Sequence, residues 1–124
     1  TAVSILGYAN GAIGTIDNSR KAIYGYDQRV EVFGSGGMVQ ALNNTPDSHV
    51  YANEEGVHAA KPLYFFLERY MDSFIAEVKA FVESIRSDQQ PPVSGEDGRI
   101  PVMMAMAATR SLKEKRPVKL SEIS

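Results

Sequence analysis

Apolar and polar residues alternate along the first sixty positions, and the pattern then lengthens to a helical period. Thr1 to Tyr8 alternates around Val3, Ile5 and Leu6, and Ala12 to Asp17 resumes the extended pattern. Asn10-Gly11 lies between them, and both residues tolerate the positive φ of a tight hairpin turn. A third strand is predicted from Ile23 to Phe33. In a regular strand Tyr24 and Tyr26 share a face with Val30 and Val32, while Arg29, Glu31 and Phe33 point the other way. Gly34 to Gly37 turns the chain into Met38–Leu42, and Asn43 to Asp47 turns it again. Ser48 to Asn53 and Val57 to Lys61 complete the extended segments, joined at Glu54-Glu55-Gly56. No connection among these is long enough for a crossover helix, so the pairing is expected to be antiparallel.

From Leu63 the apolar positions follow a helical stripe: Phe66, Leu67, Tyr70, Met71, Phe74, Ile75, Val78, Phe81, Val82 and Ile85. Pro62 suits a first helical turn, and Gln89 to Val93 stops the helix. Ser94 is an N-cap candidate for a second helix, Gly95 to Lys113, with Glu96 and Asp97 in its first turn. Pro101 should kink that helix or leave one carbonyl unpaired. Pro117 to Leu120 is expected to add a short strand, and Ser121 to Ser124 to be loose. The predicted fold is α+β: an open, mostly antiparallel sheet of five or six strands with two C-terminal helices packed on one face. The other face would be bare and apolar, which predicts a homo-oligomer through it.

Length and composition narrow the function. The 124 residues suffice for one domain, with ordinary apolar and charged fractions of 44% and 23%. A net charge of -2 argues against nucleic acid as a partner. There is no cysteine, hence no disulfide, thiolate site or cysteine nucleophile. His49 and His58 lack ligand spacing, so no metal site is expected. No apolar run approaches the roughly 18–20 residues of a membrane span, so no membrane partner is expected either.

Most candidate chemistry has a plainer explanation. Gly34-Ser35-Gly36-Gly37 lacks phosphate-loop spacing and leads into a strand, so it reads as a turn. Glu96 and Asp97 are an acid/base pair on one reading and helix caps on the other. The aromatic series on the first helix and Met103, Met104 and Met106 on the second read as packing. Asn18 to Gly37 is different. It gathers Arg20, Lys21, Tyr24, Tyr26, Asp27 and Arg29, the mixture of donors and acceptors that a hydroxyl-rich ligand requires.

Three blocks carry a resemblance: NGAIGTIDNSRKAIYGYDQRVEVFGSGGMVQA, KPLYFFLERYMDSFIAEVKAFVESI and PPVSGEDGRIPVMMAMAATRSLKEKRPVKL. Together they resemble the C-terminal half of inositol 2-dehydrogenases of the glucose-fructose oxidoreductase/inositol dehydrogenase (Gfo/Idh/MocA) family. The resemblance implies that residues 1–124 are a single substrate-binding and oligomerisation domain, and that the N-terminal Rossmann domain, which binds NAD or NADP, is absent. No G-x-G-x-x-G follows a strand here, in keeping with that. The family's catalytic lysine sits in an E-K-P motif of the nucleotide-binding half, and its catalytic Asp and His lie upstream of Thr1. The role is not carried over to Lys61-Pro62. The family's substrate-contacting tyrosine falls on Tyr26, with Tyr24 beside it and Arg20 as a further candidate. The implied substrate is myo-inositol or a related cyclitol or sugar, and the implied location is the cytoplasm. Two functions are therefore expected to compete: part of a polyol dehydrogenase, inactive alone and without a cofactor of its own, or a free-standing oligomerisation or ligand-binding module. A carboxylate-based hydrolase using Glu96 and Asp97 is a third.

Overall fold

The computed structural model describes Thr1–Ile123. Six strands and two helices occur in the order β1 (Ala2–Gly7), β2 (Ile13–Asn18), β3 (Val30–Gly34), β4 (Gly37–Ala41), β5 (Val50–Asn53), β6 (Gly56–Ala59), α1 (Phe66–Ser87) and α2 (Gly95–Glu114). A short 3-10 turn, Leu120–Glu122, follows. The α+β class and the order of elements match the sequence reading. The single sheet does not: the strands form three separate two-stranded ribbons, β1–β2, β3–β4 and β5–β6. Sequence-adjacent strands need only a tight turn to pair. Joining ribbons takes hydrogen bonds between their outer edges, which alternation does not encode.

One compact unit comprises Asn18–Ala76 with Thr1. It contains the β3–β4 and β5–β6 ribbons and the start of α1. In the β3–β4 register Val30 faces Ala41, Val32 faces Val39 and Phe33 faces Met38. Val30, Val32 and Val39 therefore share one side, and Phe33 and Met38 share the other. Gly37 closes the turn at φ 133°, and Gly56 does the same for β5–β6 at φ 135°. In the latter, Tyr51 pairs with His58.

The predicted third strand is cut short. Residues 23–29 form no strand, because Gly25 takes φ 144° and its backbone lies against Pro62. A Cβ built on Gly25 would stand 2.6 Å from the Pro62 carbonyl oxygen. Next to this contact the Tyr26 N–H donates to the Leu63 carbonyl at 2.8 Å, and the Leu63 N–H donates to the Asn44 carbonyl at 3.0 Å. Pro62 is thus not in a first helical turn; α1 begins at Phe66, and residues 62–63 are spent on this crossing.

The second unit comprises Ala2–Asp17 and the chain from Glu77 on. Its β1–β2 hairpin turns where expected: the Gly11 N–H donates to the Tyr8 carbonyl, with Gly11 at φ 85°. The first helix ends one residue before Asp88, which takes φ 53°, and the Gln89 N–H donates to the Ser84 carbonyl at 2.9 Å. A left-handed residue, not the later prolines, is the stop. The second helix starts with a complete capping box. The Asp97 N–H donates to Ser94 Oγ, and the Ser94 N–H donates to Asp97 Oδ2 at 2.8 Å. The helix runs through Pro101 without a break.

The expected C-terminal strand is instead the 3-10 turn, held by ion pairs. Arg116 bonds Glu114 at 2.6 Å and Glu122 at 2.7 Å, and the Lys119 N–H donates to Glu122 at 2.9 Å. Ser121 and Glu122 are thereby ordered rather than loose; Ser124 lies outside the described residues. Arg116 above all, then the Lys119 N–H, holds the Glu122 carboxyl down at about 2.

Little of this chain is enclosed. Among the described residues only Ser84 and Ala107 are buried, whereas Phe33 is 83% and Val57 75% exposed. Apolar ribbon faces and the stripe of α1 stand bare, among them Val30, Val32, Val78 and Phe81. No helix among the described residues is long and apolar enough to cross a membrane.

Replacing Ser94 with Ala removes the cap and should cost about 1 kcal/mol in thermal or denaturant unfolding. Gly25→Ala should cost more, because φ 144° and the Pro62 carbonyl both reject a Cβ. The Glu122 clasp carries its own pH signature. Its folded pKa is depressed from 4.5 to about 2, so its contribution is complete above 4.5 and fades as pH falls toward 2. Hydrogen exchange at residues 116–122 should accelerate over that window before the capped start of α2 does.

Candidate functional site

The loop between β2 and β3 and the approach to α1 enclose an open recess of about 530 Å³. Ser19, Arg20, Tyr26 and Asp27 line it from the loop, and Tyr64 and Tyr70 from the other side. The backbone contacts at Gly25 and Tyr26 bring these two segments together.

Two of the three residues predicted to bind ligand therefore reach the recess. Tyr26 and Arg20 line it. Tyr24 does not, since its hydroxyl donates to Asp27 Oδ2. The strand parity that would put Tyr24 beside Tyr26 fails because the segment is a loop broken at Gly25.

Asp27 is the hub of this loop. Its carboxylate receives Arg29 Nε at 2.7 Å and Nη2 at 2.9 Å, the Tyr24 hydroxyl, and Asn43 Nδ2 at 2.6 Å. The side chain is 13% exposed. The Arg29 guanidinium first, then Tyr24 and Asn43, hold its carboxyl far below the usual carboxylate range. A carboxylate so engaged is permanently ionised and is neither a proton donor nor a competent base near neutral pH.

Tyr70 was hidden by its position in the helical stripe, where it reads as packing. Its ring meets Tyr26 edge to face, with centroids 5.6 Å apart and planes at 88°. Partial burial, and then the Tyr26 hydroxyl, raise its pKa above the ordinary phenol value, so it remains a neutral hydroxyl. Arg69, next to it, donates from Nη2 to the Gln28 carbonyl at 3.3 Å. Asn43 is the other residue that sequence reasoning missed; it lies in a segment that looks like an ordinary turn.

The recess thus offers phenol hydroxyls, one guanidinium and a carboxylate occupied by its own loop. This set can orient a neutral, hydroxyl-bearing molecule by hydrogen bonds. The alternative acid/base pair is likewise occupied: Glu96 bonds Arg99 at 2.7 and 2.8 Å, and Asp97 caps α2 through Ser94. No cluster of metal-ligating side chains occurs among the described residues.

Residues 1–120 match the C-terminal alpha/beta domain of the Gfo/Idh/MocA oxidoreductase family. The chain is 50% identical over 123 residues to a myo-inositol 2-dehydrogenase of Thermotoga maritima, covering 99% of this chain and 37% of that protein. It is 28% identical over 119 residues to an NAD(+)-linked scyllo-inositol 2-dehydrogenase of Bacillus subtilis (strain 168), covering 96% of this chain and 34% of that protein. A crystal structure of a probable dehydrogenase from Thermotoga maritima superposes with a TM-score of 0.94 at 49% identity, over 98% of this chain and 37% of that one. The chain thus spans little more than a third of these relatives, and it belongs to the Gfo/Idh/MocA oxidoreductase family as a C-terminal alpha/beta domain.

Proposed function

We propose that this domain forms one wall of the substrate pocket of a cytoplasmic, NAD-dependent inositol dehydrogenase. The observation that carries the reading is the recess itself, in which Tyr26, Tyr70 and Arg20 converge while its carboxylate, Asp27, is held by Arg29, Tyr24 and Asn43. When bound, NAD would supply the acceptor for a hydride from a ring carbon bearing a secondary hydroxyl, whose proton would leave to a base so that a ketone remains. Tyr26 and Tyr70 would donate to and accept from hydroxyls of the ring, and Arg20 would donate to one more. Their contribution is orientation, which turns an encounter of two molecules into a defined geometry. The proton acceptor and the nucleotide site belong to the remaining two thirds of the parent enzyme.

The same reading accounts for the bare apolar surface. The ribbons and the two helices would be completed into one open sheet, covered on one face by the helices and on the other by a second copy of the domain. The support is the run of bare apolar positions on the ribbons and on α1, among them Val30, Val32, Phe33, Val78 and Phe81.

The 124-residue chain alone, given NAD and myo-inositol, should produce no NADH; measurable turnover sinks the reading. In the full-length enzyme, Tyr26→Phe should raise the polyol KM roughly 3- to 10-fold, the worth of about one hydrogen bond, with the KM for NAD unchanged. The full-length enzyme should also run as an oligomer in size-exclusion chromatography with light scattering, and a monomer at high concentration would remove the interface from the proposal.

A further inference from the structure

We infer that Asp27 is a positioning residue for polyol binding, fixing the loop that carries Tyr26 in its substrate-ready form before the substrate arrives. The inference rests on the pocket reading above and adds a residue to it. Tyr26 is held at its N–H, which reaches the Leu63 carbonyl at 2.8 Å, and at its ring and hydroxyl, which meet Tyr70. The backbone that follows it, Asp27 and Gln28, is tied down separately, and Asp27 does most of that holding.

The carboxylate gathers donors from both directions along its own loop, Tyr24 on one side and Arg29 on the other. It also reaches across to the segment after β4, where Asn43 Nδ2 donates to it at 2.6 Å. Asn43 answers by accepting the Gln28 N–H on Oδ1 at 2.8 Å. Tyr26 is thus bracketed by neighbours tied into one ring of hydrogen bonds. The ring is centred on a group that is 13% exposed. A polyol has many equivalent hydroxyls, so selecting one orientation depends on where the protein's hydroxyls are fixed. A loop that had to order on binding would subtract that cost from the affinity. A largely shielded carboxylate that accepts four hydrogen bonds is a good anchor for such a loop, because each bond it accepts is charge-assisted or directional.

The test uses the full-length enzyme with Asp27→Asn, Tyr26→Phe, the double variant and the milder Asn43→Ala. Asp27→Asn keeps the volume but turns one acceptor into a donor facing Arg29 or Tyr24. The expected result is a rise in polyol KM of about tenfold, with kcat within about twofold and the KM for NAD unchanged. The double variant should be no worse than the poorer single one, because both act through the same tyrosine. Asn43→Ala should shift the polyol KM in the same direction by less, and it carries the test should Asp27→Asn fail to fold. If Tyr26→Phe raises the polyol KM while the anchor variants leave it unchanged, or if the effects multiply in the double variant, the positioning role is overturned and the pocket reading stands. An unaltered polyol KM in Tyr26→Phe overturns both.

Discussion

The close crossing of Gly25 over Pro62 is the contact on which the rest of the first unit depends. A single hydrogen atom in place of a side chain lets two backbone segments meet, and the Tyr26–Leu63 and Leu63–Asn44 bonds then stitch three parts of the chain together. The loop after β2, the turn after β4 and the lead into α1 are distant in sequence, and the Asn43 and Arg69 side chains add bonds between them. The tyrosines of the recess come from two of these segments. Their proximity is therefore a consequence of backbone geometry before it is a matter of side-chain chemistry.

The Asp27 cluster builds on that crossing. Once the segments are close, one carboxylate can be reached by Tyr24, Arg29 and Asn43 together. Ion pairs at a solvent boundary are ordinarily weak, but this one is bidentate, and its carboxylate is reinforced by two further donors and largely shielded, although Arg29 itself is exposed. The clasp at the end of α2 uses the same chemistry in an exposed setting. There Arg116 and Glu122 order a few residues without enclosing anything.

Local features were readable from the sequence. Asn10-Gly11 marked a hairpin, the apolar stripe marked α1, and Ser94 with Asp97 marked the start of α2. Each is a signal carried within a few residues. What escaped depends on contacts between remote positions. Residues 23–29 have the composition of a strand, yet Gly25 against Pro62 makes them a loop. That displaced Tyr24 from the recess. Tyr70 follows the helical period perfectly well and still has its edge on Tyr26. Asn43 looks like any turn asparagine. Tyr26 and Arg20 were found through a resemblance and through composition, and their place in the recess needed the fold. The division of the strands into three ribbons rather than one sheet was likewise beyond reach, since edge-to-edge pairing, present or absent, leaves no periodic trace.

Each of the three ribbons has two outer edges, and apolar side chains stand bare on their faces. Unsatisfied backbone groups along such an edge are a template for adding another strand. Open, apolar edges of this kind also attract chaperones and favour aggregation, so the conditions under which this chain is made and stored bear on its solubility as much as its folded contacts do.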